Sequence, residues 1–253
     1  MKLPALLVAI LASCQGVGTQ PPTVGPCDEP GDRTHCEVRT WSLPAPASLR
    51  TVGLHSADVV VEAWDQPHAE IVATLAADGD RARERVRAVR VTVQEGEVRV
   101  ADPGRPAVDD EPLLEVRAYV PQATPLDLST HNGSIAVLGP TAPVRLRTQN
   151  GALVAQDVTG PLVGHTQNGV ARVDLPPGHG DVDLWAQNGQ IRVAAPADWE
   201  GRVVARVGRG SLVTNLGDPR PTPDGEGTVL GTGGPGPTVR LTSENGRVTV
   251  LRD

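Results

Sequence analysis

Hydrophobic and polar residues alternate through the middle of the chain around an Asn-Gly dipeptide that returns at nearly constant intervals. Counting from each Asn, the positions six, four and two before it and three and five after it are mainly Val, Leu, Ile, Ala or Thr. These positions skip every other residue, which is the side-chain period of a β-strand. We therefore expect two short strands in each repeat, with this set of side chains buried and the intervening set exposed.

The repeats follow one another at a fixed period, which is itself informative about the fold. The residues that mark them are Asn132, Asn150, Asn168, Asn188 and Asn245. The first four are 18, 18 and 20 positions apart by subtraction, a spacing typical of stacked repeat architectures. Two further dipeptides, Glu95-Gly96 and Arg209-Gly210, fit the same frame without the Asn. Residues 114–120 and 228–230 are expected to be two more turns of the stack that lack the dipeptide.

Asn and Gly both tolerate positive φ, so each dipeptide is expected to form a tight reversal of the chain. In an antiparallel meander or a β-sandwich, the reversal would join two neighbouring strands. In a β-solenoid it would be a corner, and equivalent residues would stack about 4.8 Å apart on successive turns. The constant period favours an all-β, single-domain β-solenoid, a β-helix-like stack with Asn-Gly corners. Gln149, Gln167 and Gln187 would then form a ladder of amides between turns.

The first residues have the features of an export signal. A short apolar run, too short to cross a bilayer, ends in Leu11-Ala12-Ser13-Cys14. These four residues resemble the lipobox of bacterial lipoproteins, which implies that Cys14 is lipidated; a plain secretory signal is the alternative. We therefore expect a lipoprotein signal peptide at residues 1–13, a lipidated Cys with a Pro- and Gly-rich tether at 14–47, and the repeat domain at 48–253.

Two features outside the repeats bear on how the domain is closed. Cys27 and Cys36 flank a short loop in the tether, and in an exported protein such a pair is expected to form a disulfide. A metal site that includes His35 is the alternative, with a weak set of ligands. Residues 76–85 are the only helix-like stretch, and we expect this helix to cover the open end of the stack.

Composition and charge argue against several classes of function. The net charge of −7, with mixed signs, argues against a nucleic-acid binder, which would show a basic stripe. Aromatic residues make up 2% of the chain, which suits a thin aliphatic core between narrow turns. The six His are scattered, no grouping of them indicates a catalytic metal, and no nucleophilic Ser motif is present. We therefore expect no enzyme activity, metal or cofactor.

The outward positions five and three before each Asn would gather cations and an aromatic residue on one face if the turns stack. These residues are Arg145, Arg147, His165, Trp185, Arg206 and Arg240. A Trp among cations can bind a sugar ring, a peptide or an anionic polymer. This face is the candidate binding site, and a soluble sheet face with a single Trp is the simpler interpretation. The Asn column is expected to be structural.

Together with the lipobox and the Pro-rich tether, the repeated turns over residues 48–253 resemble the bacterial putative-adhesin family of unknown function. The resemblance implies a β-solenoid head that is exported or attached to a membrane, and it brings no catalytic residues with it. Because Gln15 rather than Asp follows Cys14, the likeness to lipoproteins implies sorting to the outer membrane in a cell that has one. The expected function is a non-catalytic, envelope-anchored lipoprotein that binds envelope polysaccharide or protein.

Two other functions stay open at this point. One is a polysaccharide-acting solenoid enzyme, which would need a groove with clustered acidic residues and a metal or Lys beside Arg145 and Arg147. The other is a periplasmic scaffold or sensor in envelope-stress signalling, which the residues alone do not separate from adhesion.

Overall fold

The computed structural model describes residues 21–27, 35–101, 112–222, 225, 227–231 and 236–252. Across these residues the chain is all-β: its strands join into one hydrogen-bonded sheet, accompanied by one short helix, α1 (Ala82–Ala88). The predicted signal segment and Cys14 lie outside the described residues. No helix in the described part of the chain is long and apolar enough to cross a membrane.

The strands fall into an N-terminal set and a repeat set. The N-terminal strands are β1 (Thr23–Gly25), β2 (His35–Pro44), β3 (Leu49–Val52), β4 (Ala57–Trp64), β5 (His68–Ala77), β6 (Arg90–Gln94), β7 (Glu97–Ala101) and β8 (Leu113–Pro121). The remaining strands are β9 (Leu126–Asn132), β10 (Ile135–Leu138), β11 (Val144–Asn150), β12 (Leu153–Gln156), β13 (Leu162–Asp174), β14 (Val182–Ala195), β15 (Arg202–Thr214), β16 (Arg220–Pro221), β17 (Thr228–Gly231) and β18 (Thr238–Arg252).

The strands around the Asn-Gly dipeptides are parallel, with equivalent residues of successive repeats in register. β11 pairs with β9 on one side and β13 on the other, so that Asn150 lies between Asn132 and Asn168. β13 and β14 run through the dipeptide without interruption and pair along both halves. We call β9, β11 and the first halves of β13, β14, β18 and β15 the first ladder. The second ladder comprises β10, β12 and the second halves of the same four long strands.

The side chains expected to face inward are buried between the two ladders. In the four regular repeats all five inward positions are buried, and they carry Leu, Val, Ile, Ala or Thr except at Gly164. The aliphatic residues among them belong to a single core. The two ladders face each other at Gly164, where a Cβ would meet Leu184 on the next strand and Leu153 on the second ladder. The assignment of inward and outward positions from the sequence is therefore confirmed.

The Thr two positions before the Asn has a hydrogen-bonding role inside this core. Thr148 Oγ1 donates to the carbonyl oxygen of Gly133 at 2.9 Å, and Thr166 Oγ1 donates to that of Gly151 at 3.3 Å. Each buried hydroxyl thus has a partner in the preceding repeat, as a buried polar group requires. This explains why a polar residue recurs at one inward position of an otherwise aliphatic core.

The Asn of each repeat does not adopt the positive φ expected from the sequence. Among the described residues, the non-glycine positions with positive φ are Glu95, Ala123 and Asp157, so the repeat Asn residues are not in that conformation. The glycine is required for a different reason. A Cβ on Gly189 would lie 1.8 Å from the carbonyl oxygen of Gly169 in the neighbouring repeat. Successive backbones are therefore too close at this column for any side chain.

Asn side chains, and not the Gln side chains, form the amide ladder between repeats. After the first Asn, each Asn Nδ2 donates to the Asn Oδ1 of the neighbouring repeat at 2.7 to 3.0 Å, four bonds in all. The ladder runs in the order Asn132, Asn150, Asn168, Asn188 and Asn245. The predicted Gln ladder is wrong at Gln149, whose buried Oε1 has no hydrogen-bond partner.

The order of the strands in the stack differs from their order along the chain. β18, the last strand in sequence, lies between β14 and β15 and is parallel to both. After β14 the chain therefore forms β15, which is not adjacent to β14. It then returns as β18, which occupies the position between them. Residues 228–230 are not a further turn of the stack, because β17 pairs antiparallel with the start of β15.

The N-terminal strands cover the opposite end of the stack and mix parallel with antiparallel pairing. β3 and β4 lie beside β9 and β10 in parallel register. Glu95-Gly96 is not a repeat corner: it is the turn of an antiparallel hairpin between β6 and β7, with φ of 51° and 82°. β8, expected to be a turn of the stack, is parallel to β4 but antiparallel to β5.

Helix α1 and the disulfide both brace this N-terminal part. The helix is shorter and later than predicted, because residues 76 and 77 complete β5. The Arg39 guanidinium of β2 donates to the carbonyl oxygens of Val86 and Val89, so the helix packs beside β2. The predicted disulfide between Cys27 and Cys36 is confirmed, with the two Cα atoms 5.7 Å apart.

Candidate functional site

The six residues of the predicted face lie on the outer side of the first ladder, in two adjacent columns. Along the stack, the column five before the Asn contains Asp127, Arg145, Val163, Asp183, Arg240 and Val204. The column three before the Asn contains Ser129, Arg147, His165, Trp185, Thr242 and Arg206. The two columns differ in how their charges are arranged.

In the five-before column, residues of opposite charge occupy neighbouring strands. Arg145 is in register with Asp127, and Arg240 is in register with Asp183. Arg50 of β3 is in register with Asp127 on its other side, so the alternation of positive and negative residues continues into the N-terminal strands. Opposite charges on neighbouring strands stabilise a sheet modestly. The charged residues of this column can therefore be accounted for by folding, without a ligand. Arg145 and Arg240 are therefore weaker candidates for ligand binding than the rest of the set.

The three-before column has no acidic residue among its repeat positions and brings three of the predicted residues together. Arg147, His165 and Trp185 occupy successive strands in register. The ring centroids of His165 and Trp185 are 4.1 Å apart, with planes at 88°, an edge-to-face contact. Arg147 has one acidic neighbour, Asp127, at 3.8 Å, and because both side chains are about half exposed this pair is weak.

The electrostatics of this group favour a neutral imidazole beside a cation. Burial lowers the pKa of His165, and the charge of Arg147 lowers this pKa further. Trp185 is half-buried and offers part of its indole to solvent. An aromatic surface next to a guanidinium is suited to a sugar ring that carries an anionic group.

The insertion of β18 separates Arg206 from the rest. Thr242 of β18 lies between Trp185 and Arg206, so Arg206 is two strand spacings, about 10 Å, from Trp185. The contiguous part of the predicted face is therefore Arg147, His165 and Trp185.

Sequence reasoning missed a second aromatic group at the N-terminal end of the stack. Trp64 and Tyr119 are stacked, with ring centroids 5.4 Å apart at 29°, and Trp64 Nε1 donates to the carbonyl oxygen of His68 at 2.8 Å. These residues come from β4, β5 and β8, whose pairing has no sequence period. No pattern in the chain could have brought them together.

A third aromatic pair is internal. Trp199 Nε1 donates to His179 Nε2 at 2.9 Å, and His179 Nδ1 contacts the carbonyl oxygen of Gly180 at 2.7 Å. Both rings are buried, and burial lowers the pKa of His179. The pair joins the loop before β14 to the loop after it, which is a structural role.

The one cavity described for this chain is not at the face around Trp185. This shallow cavity of about 290 Å³ lies elsewhere, beside the β6–β7 turn, and is lined by Ser48, Arg50, Gln94, Glu95, Gly96 and Glu97. Within the described ranges, no group of three or more His, Cys, Asp or Glu side chains is placed to hold a metal ion.

Comparisons with known proteins find similar structures at low identity. No protein-family model and no curated protein matches the chain. A putative cell adhesion protein from Clostridium sporogenes ATCC 15579 is 9% identical, with 86% of this chain and 100% of that chain covered and a TM-score of 0.45. A putative adhesin from Bacteroides fragilis NCTC 9343 is 13% identical, with 87% and 98% covered and a TM-score of 0.33.

A putative lipid binding protein from Parabacteroides distasonis ATCC 8503 is also 13% identical, with 85% of this chain and 97% of that chain covered and a TM-score of 0.36. At such identities and TM-scores, these names do not carry over to this chain. The function is therefore argued from its own residues.

Proposed function

We propose that this chain is a non-catalytic, lipid-anchored protein of the bacterial cell envelope. Its β-solenoid head binds an envelope polysaccharide or protein through the group formed by Arg147, His165 and Trp185. The observation that carries the proposal is the register of these three residues on successive parallel strands, with an edge-to-face contact between His165 and Trp185. A partly exposed indole and an incompletely neutralised guanidinium on one face support this proposal.

The solenoid assignment is supported by the parallel register and by the Asn ladder. Five repeats place their Asn residues side by side through four hydrogen bonds. An antiparallel meander would instead pair β9 with β10 across the dipeptide, whereas β10 pairs in parallel with β4 and β12. Such a stack makes a flat, elongated surface with a chemical repeat of about 4.8 Å, which suits an extended polymer.

The spacing of the acidic residues supports a non-catalytic role. Asp127 and Asp183, the carboxylates of the five-before column, are three strand spacings apart, about 14 Å. Carboxylate pairs that cleave glycosidic bonds are separated by roughly 5 to 9.5 Å. A third carboxylate, Asp181, accepts a hydrogen bond from the backbone of Thr238 and so serves the fold.

The anchor and location are supported by the N-terminal sequence and by the disulfide. Leu11-Ala12-Ser13-Cys14 follows a short apolar run, and several acyl chains on one Cys would hold the head stably at a membrane. The disulfide between Cys27 and Cys36 fits an oxidising compartment outside the cytoplasm. With Gln15 after the Cys, the outer membrane is the proposed site in a cell that has one.

The binding proposal is tested by measuring affinity for purified envelope polysaccharides and by pull-down of envelope proteins. Trp185→Ala is expected to weaken binding at least tenfold, because it removes the aromatic centre of the face. Trp64→Ala, which removes a half-buried Trp at the other end of the stack, is the matched control and should bind as the parent does. Binding that survives Trp185→Ala, or no binding to any envelope component, contradicts the proposal.

The anchor is tested separately by mass spectrometry of the protein extracted from membranes. The mature N-terminus should be an acylated Cys14, and Cys14→Ser should release the chain into the soluble fraction. An unmodified Cys14 in the membrane-extracted protein contradicts the anchor.

A further inference from the structure

The outer face of the second ladder, on the opposite side of the stack from Trp185, carries a compact group of cations. Arg172 and Arg192 are in register on β13 and β14, and Arg247 is in register with Gln190, two positions before Arg192. All three guanidinium groups lie on exposed outward positions. We call these three residues, with the exposed Val170, Val213 and Leu251 among them, the cationic patch.

The cations of this patch are poorly neutralised by the protein itself. Arg172 bonds to Asp174 at 3.2 Å, but within the described residues Arg192 and Arg247 have no ion pair or hydrogen bond from their guanidinium groups. Like charges directly opposite each other in a sheet are unfavourable, so the register of Arg172 with Arg192 costs stability. An anionic surface laid on the patch would remove that cost.

Exposed aliphatic side chains lie among these cations. Val170, Val213 and Leu251 are 42%, 44% and 39% exposed. Val170 stands in the column of Arg247, Val213 in the column of Arg172 and Arg192, and Leu251 in the next outward column, which also contains Asp174 and Ala194. The patch contains no aromatic residue, unlike the face around Trp185. Cations interspersed with aliphatic groups suit the headgroup layer of an anionic bilayer, whereas a sugar polymer would favour an aromatic platform.

We propose that the cationic patch rests on an anionic phospholipid surface and orients the head on the membrane. The Trp185 face, on the other side of the stack, then points away from that membrane toward its ligand. The orientation rests on the proposed lipid anchor, which would keep the patch close to a bilayer. Net charge does not oppose this contact, because the positive charge is local to the patch although the whole chain carries −7.

Vesicle sedimentation with the full chain carrying Cys14→Ser tests this proposal without the acyl chains. The chain should bind phosphatidylcholine vesicles that contain phosphatidylglycerol, bind vesicles of phosphatidylcholine alone much more weakly, and release at high salt. Each arginine near an anionic surface contributes roughly fivefold to partitioning. Arg192→Gln with Arg247→Gln should therefore weaken binding roughly 25-fold.

The matched control is Arg83→Gln with Arg87→Gln, which removes the same charge from exposed positions on α1. This pair should change vesicle binding by less than about threefold, because α1 lies at the other end of the molecule. Equal losses in the two double variants would show a non-specific charge effect and overturn the proposal. Absence of binding to the phosphatidylglycerol vesicles would overturn it as well.

A parallel arm replaces the vesicles with alginate, a soluble anionic polysaccharide. If Arg192→Gln with Arg247→Gln abolishes alginate binding while vesicles are never bound, the occupant is a polymer and the membrane assignment is wrong. Vesicle binding by the Cys14→Ser chain is independent of acylation and of Trp185. A failure here is therefore distinguishable from a failure of the anchor or of the polysaccharide site.

Discussion

Two glycine turns that look alike in the sequence have different structures in this chain. At Glu95-Gly96, both residues have positive φ and the chain reverses into the β6–β7 hairpin. At Gly189, the chain continues within β14, and the glycine is needed because the backbone of the neighbouring repeat lies against it. Gly96 is required both by its positive φ and by the Ser48 carbonyl oxygen, which would lie 2.1 Å from a Cβ, whereas Gly189 has no positive φ and is required by the contact between repeats alone. A glycine at this position of the repeat frame therefore does not by itself determine the geometry of the backbone.

The largest loss of stability is expected at Gly189, where the contact between repeats requires a glycine. Gly189→Ala places a Cβ within 1.8 Å of the Gly169 carbonyl oxygen and should lower the free energy of unfolding by at least about 3 kcal/mol. Gly178 has a φ of +73° but no atom within 4 Å of an added Cβ, so Gly178→Ala should cost only about 1 kcal/mol. Chemical denaturation of both variants gives the comparison, and similar losses would contradict it.

A smaller effect is expected from breaking the Asn ladder. Asn168 donates to Asn150 and accepts from Asn188, whereas Asn245 at the end of the ladder makes one such bond, to Asn188. Asn168→Ala should therefore cost about 1 to 2 kcal/mol, and Asn245→Ala about half of that. Equal losses at the two sites, measured by urea denaturation, would mean that the ladder adds nothing beyond the intrinsic preference of each position.

The buried His179 should make the repeat region sensitive to acid. Its pKa is lower in the folded chain than the ordinary value of 6.5, mainly because of burial. Below about pH 6.5 the unfolded chain therefore binds a proton that the folded chain does not, and stability falls until the folded pKa is passed. Protonation also removes the acceptor for Trp199 Nε1. Melting temperatures across this range should fall, with a shallower slope in His179→Gln; an unchanged slope would contradict the assignment.

The smallest effect is expected at the hairpin. Glu95 has a φ of 51°, a region that Asn occupies more readily than Glu, so Glu95→Asn should stabilise the chain by about 0.5 kcal/mol. Asn168→Glu, the reverse exchange in a repeat, should destabilise because it removes the ladder amide. If both exchanges changed the melting temperature in the same direction, the two turns would not differ as described.

Strand period alone was sufficient to predict the core, because inward positions such as Leu146, Leu162 and Ile191 follow the alternation of a β-strand. The close approach at Gly189 could not be predicted, because it depends on the distance to another repeat. The position of β18 between β14 and β15 could not be predicted either, since sequence order does not determine the order of strands in a stack. For the same reason the prediction grouped Arg206 with Trp185, although Thr242 separates them.

The candidate site could be predicted only in part, because only some aromatic residues lie in the periodic repeats. The contiguous group of Arg147, His165 and Trp185 comes from three consecutive repeats, where the period near 18 residues determines the register. Trp64 and Tyr119 come from strands without that period and were missed.

Methyl–methyl nuclear Overhauser contacts in the Ile-, Leu- and Val-labelled protein test the stacked register most directly. Val239 should show cross-peaks to both Val182 and Val203, since β18 lies between β14 and β15. Val182 and Val203 should show none to each other, because two strand spacings, about 10 Å, separate them. A direct Val182–Val203 cross-peak without contacts from Val239 to either residue would contradict the stack described here.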